Sequence, residues 1–87
     1  MEFEFLKENG ILLGRYNVYY ENTKCVNYSY EYYSYDGKEY QVDHSAYDDV
    51  YEADFKNDYD DLENLFGFTE EDGYWEVTTE GESHLKR

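Results

Sequence analysis

Two histidines, one cysteine and a large excess of carboxylates are the groups in this chain that could carry chemistry. His44 and His84 lie forty residues apart, and neither has a nucleophile at a motif spacing. His44 falls where a strand hands over to the next element and is expected to cap or pack. His84 falls near the C-terminal end. Cys25 has only Lys24 beside it to favour a thiolate, and is expected to pack as a small hydrophobe at the start of a strand. No nucleophile elbow, phosphate loop or zinc-protease pattern occurs. The expectation is therefore a protein that is not an enzyme, with no catalytic residue and no cofactor.

Carboxylates can also hold calcium. An EF-hand loop needs acidic or amide residues at its first, third and fifth positions, then a glycine. Counting from Asp58, the third position is Asp60 but the fifth is Leu62. The run Glu70-Glu71-Asp72-Gly73 has the glycine, but Phe68 stands where the first ligand should be. No metal site is expected.

The charge itself excludes other classes. Twenty-two Asp and Glu against seven Lys and Arg leave a net charge of −15. Phosphate contacts require basic residues, so direct nucleic-acid binding is excluded. An anionic membrane surface would repel the chain. The N-terminus MEFEFLKENG is acidic and alternating, unlike a signal peptide or a spanning segment, and a cytoplasmic protein is expected. Nineteen aromatic residues, thirteen of them tyrosines, argue for a folded domain over a disordered acidic tail.

From Asp43 to Phe66 the chain holds nine carboxylates and one lysine, Lys56. Read as a helix, Asp49, Glu52, Lys56, Asp60 and Glu63 form one row; Asp54, Asp58 and Asp61 form a second. Like charges at those spacings oppose the helix by roughly 0.2–0.5 kcal/mol each. Alternating signs would serve solubility without that penalty. A row of carboxylates at helical spacing can stand in for nucleic-acid phosphates and dock in another protein's basic groove. The expected contacts are Asp48, Asp49, Glu52, Asp54, Asp58, Asp60, Asp61 and Glu63. Tyr33 and Tyr35 are expected on a solvent-facing side of the sheet, where tyrosine suits an interface.

The elements that would position these groups are legible in outline. Residues 2–7 alternate Glu and Phe, and Asn9-Gly10 is a strong hairpin signal, so two strands are expected there, with Phe3 opposite Tyr16 and Glu4 opposite Arg15. Residues 25–34 read as a third strand and 38–43 as a fourth. A three-residue turn at Tyr35-Asp36-Gly37 would pair Tyr32 with Tyr40. A two-residue turn would instead put Glu31 against Val42 and mix the faces. Ser45 is the expected cap of a helical segment whose stripe Tyr47, Val50, Tyr51, Phe55, Tyr59, Leu62 and Phe66 faces the core. Gly67 would end it, Tyr74 to Thr79 would form a last strand, and residues 80–87 would be a flexible tail. The fold class is α+β: one domain over residues 1–87, a small twisted antiparallel sheet of about four to five strands with one face packed by an acidic helical segment.

In length, charge, strand-rich first half and the Asp/Glu rows from Asp43 to Glu63, the sequence resembles the small acidic inhibitors that bacteriophages and mobile elements use against host defence. Those include DNA-mimicking anti-CRISPR proteins, anti-restriction mimics and uracil-DNA glycosylase inhibitors. The resemblance implies a non-enzymatic viral protein that blocks the basic groove of a defence nuclease, most readily a CRISPR effector, in the host bacterial cytoplasm. The competing expectation is a tyrosine-anchored interaction module of antitoxin or adaptor type.

Overall fold

The computed structural model describes residues 1–61, 69 and 71–86. Along the chain run α1 (Phe3–Asn9), β1 (Ile11–Tyr19), β2 (Val26–Tyr35), β3 (Lys38–Asp43), β4 (Asp49–Ala53), α2 (Phe55–Asp60), β5 (Gly73–Val77) and α3 (Thr79–Leu85). The five strands form one antiparallel sheet in the order β4-β3-β2-β1-β5. The α+β class is as expected. Among the described residues no helix is long and apolar enough to cross a membrane.

Successive side chains of a strand point to opposite faces. In β2 the consecutive residues Glu31, Tyr32 and Tyr33 are all buried, so both sheet faces must be covered. One face packs Leu6 of α1 with Tyr33 and Val42. The other packs Leu13, Tyr32 and Phe55, with Trp75, Val77 and Leu85 against them. This replaces the expected single covered face, and it buries Tyr33.

Three helix assignments differ from the sequence reading, each for a local reason. Residues 3–9 form a helix where a strand was expected. A strand would leave Leu6 beside Glu2 and Glu4; the helix aligns it with Phe3 at i, i+3 and buries it completely. Asn9 donates from its side-chain amide to Phe5 O and Gly10 N–H bonds Leu6 O, so the Asn-Gly pair closes a helix and not a hairpin. The expected pairings of Phe3 with Tyr16 and Glu4 with Arg15 do not form. Tyr16 pairs instead with Tyr30 and Trp75, and Arg15 with Glu31 and Glu76.

The second difference lies in residues 45–54. Asp43 Oδ1 accepts both the Ser45 N–H (2.9 Å) and its hydroxyl (2.6 Å), an Asx turn that removes Ser45 as a helix cap. Tyr47 and Asp48 both take left-handed backbone, φ 58°. The chain then enters β4, with Val50 opposite Val42. Helix α2 begins only after Asp54, whose carboxylate accepts Asn57 N–H at 3.1 Å. The expected Leu62, Glu63, Phe66 and Gly67 positions lie outside the described residues.

Third, residues 79–85 are not a loose tail but the helix α3. Thr78 Oγ1 accepts Gly81 N–H and lies 2.7 Å from Leu12 O, tying the cap to β1. Gly81 is required there, because a Cβ would sit 1.8 Å from Leu13 O. Leu13 itself is an extra residue in β1: Leu12 pairs with Tyr33 and Gly14 with Tyr32.

The β2–β3 turn also differs. Tyr35 pairs with Lys38, leaving Asp36 (φ 51°) and Gly37 (φ 77°) as a two-residue turn of the kind hairpins favour. Tyr33 then faces Tyr40, and Glu31 faces Val42. That mixed pair is tolerated because Arg15 and His44 hydrogen-bond Glu31 on its own face.

Candidate partner interface

Two carboxylates the fold turns inward set the electrostatic frame. Glu31 is 6% exposed. Arg15 donates to its Oε2 from Nη2 at 2.6 Å and from Nε at 3.3 Å. His44 bridges Glu31 Oε1 and Asp48 Oδ1 through its two ring nitrogens, and meets the Phe3 ring edge-on at 5.0 Å. Burial pushes the Glu31 carboxyl up, but the hydrogen bonds from Arg15 and His44 outweigh it and hold it below the usual glutamate value. On the opposite face Asp58 is 9% exposed and accepts the Tyr32 hydroxyl at 2.7 Å. Burial raises this carboxyl. The Tyr32 bond offsets part of the rise, and the charges of Asp54 and Glu39 add to it.

The expected contact residues therefore divide. Asp58 is part of the interior and cannot meet a partner in this fold. Tyr33 is 6% exposed, its hydroxyl 3.5 Å from Glu31 and its titration pushed by burial to about 12. Tyr35 is half-buried and edge-stacked by Phe5 at 5.2 Å. Glu63 lies outside the described residues. The two helical rows do not exist as rows: Asp49 and Glu52 are on β4, and only Lys56, Asp58 and Asp60 of the named set are within α2.

What the fold does bring together is an acidic edge. β4 is the outer strand of the sheet. Asp48, Asp49, Glu52 and Asp54 are exposed along it and at its two ends, and Asp60 and Asp61 are exposed at the far end of α2. Asp43 and Asp49 stand directly opposite each other on β3 and β4. Glu52 has Lys38 at 3.9 Å, an exposed pair of little energetic weight. Two tyrosines rise among these acids, Tyr47 at 100% exposed and Tyr51 at 50%; Tyr59 keeps its ring against Phe55 (6.4 Å) and Trp75 (5.2 Å). The Tyr51 hydroxyl donates to Asp49 Oδ2 at 3.2 Å, and the Asp49 charge raises the Tyr51 titration. All three tyrosines were expected to pack in a helical stripe; Tyr59 does pack on Phe55, its neighbour in that stripe, whereas Tyr47 and Tyr51 do not. The edge position of β4 frees Tyr51, and the left-handed turn at Tyr47 frees the first.

The remaining reactive groups are otherwise engaged or isolated. Cys25 is exposed, not packed, because the loop before β2 carries it into solvent. His84 is not in a loose tail: its Nδ1 lies 2.6 Å from Glu39 Oε2. Both line a cleft of about 380 Å³ with Ser34, but no hydrogen bond joins Ser34 to His84 among the described residues. Among the described residues no group of three or more His, Cys, Asp or Glu is placed to hold a metal ion. No family model matches the chain, and neither does any curated protein or solved structure, so the acidic edge and its tyrosines are the ground on which a function can rest.

Proposed function

We propose that the protein is a non-enzymatic inhibitor whose acidic edge imitates nucleic-acid phosphates and occupies the basic groove of a bacterial defence nuclease, with a CRISPR effector as the first target class. The pair Asp43–Asp49 carries this reading. Like charges directly opposite on neighbouring strands destabilise a sheet by roughly 0.2–1 kcal/mol; Asp43 is held as the acceptor of the Ser45 turn, but a lysine at Asp49 would remove the penalty. Glu52 and Asp54 are alternate residues of extended backbone where β4 ends, and so lie about 6.6–6.8 Å apart, comparable to successive phosphates along a nucleic-acid strand. A charged edge also discourages pairing between copies. That role alone does not account for Tyr47 and Tyr51 standing exposed among the acids. Tyrosine rings beside carboxylates suit a groove lined with arginine, which stacks on aromatics as well as pairing with anions. Action would then take place in the host bacterial cytoplasm.

The test is inhibition of a panel of basic defence nucleases at low and high salt. Reversing Asp49, Glu52, Asp60 and Asp61 to lysine should abolish inhibition, while the same number of reversals at Glu2, Glu4, Glu8 and Glu82 should weaken it only modestly. Equal effects of the two sets would overturn the reading. The fully exposed Tyr47 favours a second reading, a tyrosine-anchored interaction module on the same edge. Under that reading Tyr47→Ser and Tyr51→Ser abolish binding, the lysine reversals do not, and salt has little effect.

A further inference from the structure

At the corner of the sheet away from β4, the β1–β2 loop and the turn before β5 enclose a cleft of about 620 Å³. Two strands separate it from the acidic edge. Tyr19 and Tyr20 line it, as do the carboxylates of Glu21, Glu71 and Asp72. Tyr74 steadies the Tyr19 ring from the side, with centroids 5.5 Å apart. The Tyr19 N–H donates to Asp72 O at 2.8 Å, which joins the two walls. One cation is already in place: Lys24 Nζ sits 4.7 Å from the centre of the Tyr19 ring. A cation over a tyrosine face is attracted by the ring's quadrupole. Lys24 answers only one of the three carboxylates that line the cleft, so the site keeps an excess of negative charge with its own lysine present.

We infer that this cleft receives an arginine side chain of a cationic partner, whose guanidinium takes the place over Tyr19 that Lys24 holds in the free protein. The inference rests on the cationic-partner element of the proposed function, at a place that function does not use. Arginine fits better than lysine for two reasons. Its planar head stacks on a tyrosine face, and its fork can reach a carboxylate at the same time. Its weaker hydration also lowers the penalty for leaving water. Asp72 is prepared for such a fork. Its Oδ2 accepts the Thr69 N–H at 2.8 Å and the Thr69 hydroxyl at 3.0 Å, while Oδ1 accepts no bond among the described residues. Those two bonds to Thr69 also hold the Asp72 carboxyl below the usual aspartate value, so it keeps its charge. The Lys24 contact belongs to a loop whose backbone is pinned by Tyr20 N–H to Cys25 O (2.7 Å) and Thr23 N–H to Tyr20 O (3.0 Å). Lys24 can therefore swing out without unfolding the loop.

The experiment is a titration of the isotope-labelled full chain with a blocked hexa-arginine peptide, followed by amide shifts in NMR. Amides of Tyr19, Tyr20, Glu71 and Asp72 should move. Lys24→Ser removes the internal competitor and should tighten binding by about 3–10-fold, the scale of one cation–aromatic contact. Lys86→Ser removes the same charge elsewhere and should change affinity less than about 2-fold. Tyr19→Leu and Glu71→Gln should each weaken binding; the second keeps the test open if the first disturbs the strand end. Equal effects of the two lysine changes, or shifts confined to β4, would overturn the inference. The titration uses no nuclease, so the two proposals fail separately. Loss of the shifts at Tyr19 removes the arginine site alone, whereas unchanged inhibition after reversal of the β4 acids removes the mimicry alone.

Discussion

Glu31 and Asp58 are the same chemical group buried on opposite faces of one sheet, and the fold moves them in opposite directions. Desolvation pushes both carboxyls up. Around Glu31 the strand pairing delivers Arg15 across from it, and the β3–β4 turn delivers His44. The hydrogen bonds of the Arg15 guanidinium and the His44 ring overcome the burial. Around Asp58 the donor is a neutral phenol, and the nearest ionised groups are other acids. A single neutral hydrogen bond does not overcome the burial. The difference teaches that a buried carboxylate in a chain this acidic is settled by which of the few cations the topology places beside it. Seven Lys and Arg cannot neutralise twenty-two acids, and the fold places Arg15 at Glu31, the most fully buried acid among the described residues.

The strongest way to break the contrast is to uncover the Asp58 face. Gly81→Val places side-chain atoms where Leu13 O stands and must displace α3, which packs on β1 and α2. A loss of more than about 3 kcal/mol is expected in urea unfolding, the scale of a severe core clash. Next, Arg15→Met leaves Glu31 without its strongest donor. Removal of one partner from a buried pair costs about 3–5 kcal/mol, and the exposure of the Arg15 side chain, 39%, reduces the expectation to about 1–3 kcal/mol. The same change should raise the Glu31 titration, measurable by carboxyl NMR.

Tyr32→Phe removes the hydrogen bond that opposes the rise of Asp58 and should cost about 1–2 kcal/mol at neutral pH. The smallest effect is on Asp58 itself. Asp58→Asn keeps an acceptor for Tyr32 and removes the charge that burial disfavours, so a gain of about 0.5–1 kcal/mol is expected at neutral pH.

The two faces also predict opposite pH slopes. The folded value of Glu31 lies below its unfolded value. Its stabilisation is therefore present above the unfolded value and is lost as pH falls through the folded one. The folded value of Asp58 lies above its unfolded value. Its stabilising contribution is present below the unfolded value and is lost as pH rises through the folded one. Unfolding measured from neutral to acid pH should show Glu31→Gln flattening the acid loss and Asp58→Asn steepening it.

Much of the sheet was legible before any coordinates. The alternation of residues 25–34 and 38–43 marked β2 and β3, and Tyr74 to Thr79 overlaps β5, because alternation is a local property of the strand itself. The acidic segment was legible as a surface but not as a shape. Apolar residues at Tyr47, Val50, Tyr51 and Phe55 satisfy a helical period as well as an edge strand followed by a helix start. The bond from Asp43 to Ser45 and the pairing of Val50 with Val42 decided between them. At α3 a signal was present: Thr78 followed by acidic residues, with His84 in the last turn, is a helix-start and helix-end pattern. Gly81 obscured it, since glycine inside a helix argues against one until the strand it must touch is known.

Composition and local period alone determined the α+β class, the central strands and the strongly negative surface, because charge count and alternation need no distant partner. Tertiary structure alone decided that both faces of the sheet are covered, that Tyr33 and Asp58 turn inward, and that Tyr47 and Tyr51 stand out among the acids. Those outcomes depend on contacts between residues far apart in the chain, Leu6 on Tyr33, Gly81 on Leu13 and Asp58 on Tyr32. Burial is a property of what lies opposite a side chain, and the order of residues does not specify what lies opposite until the chain has packed.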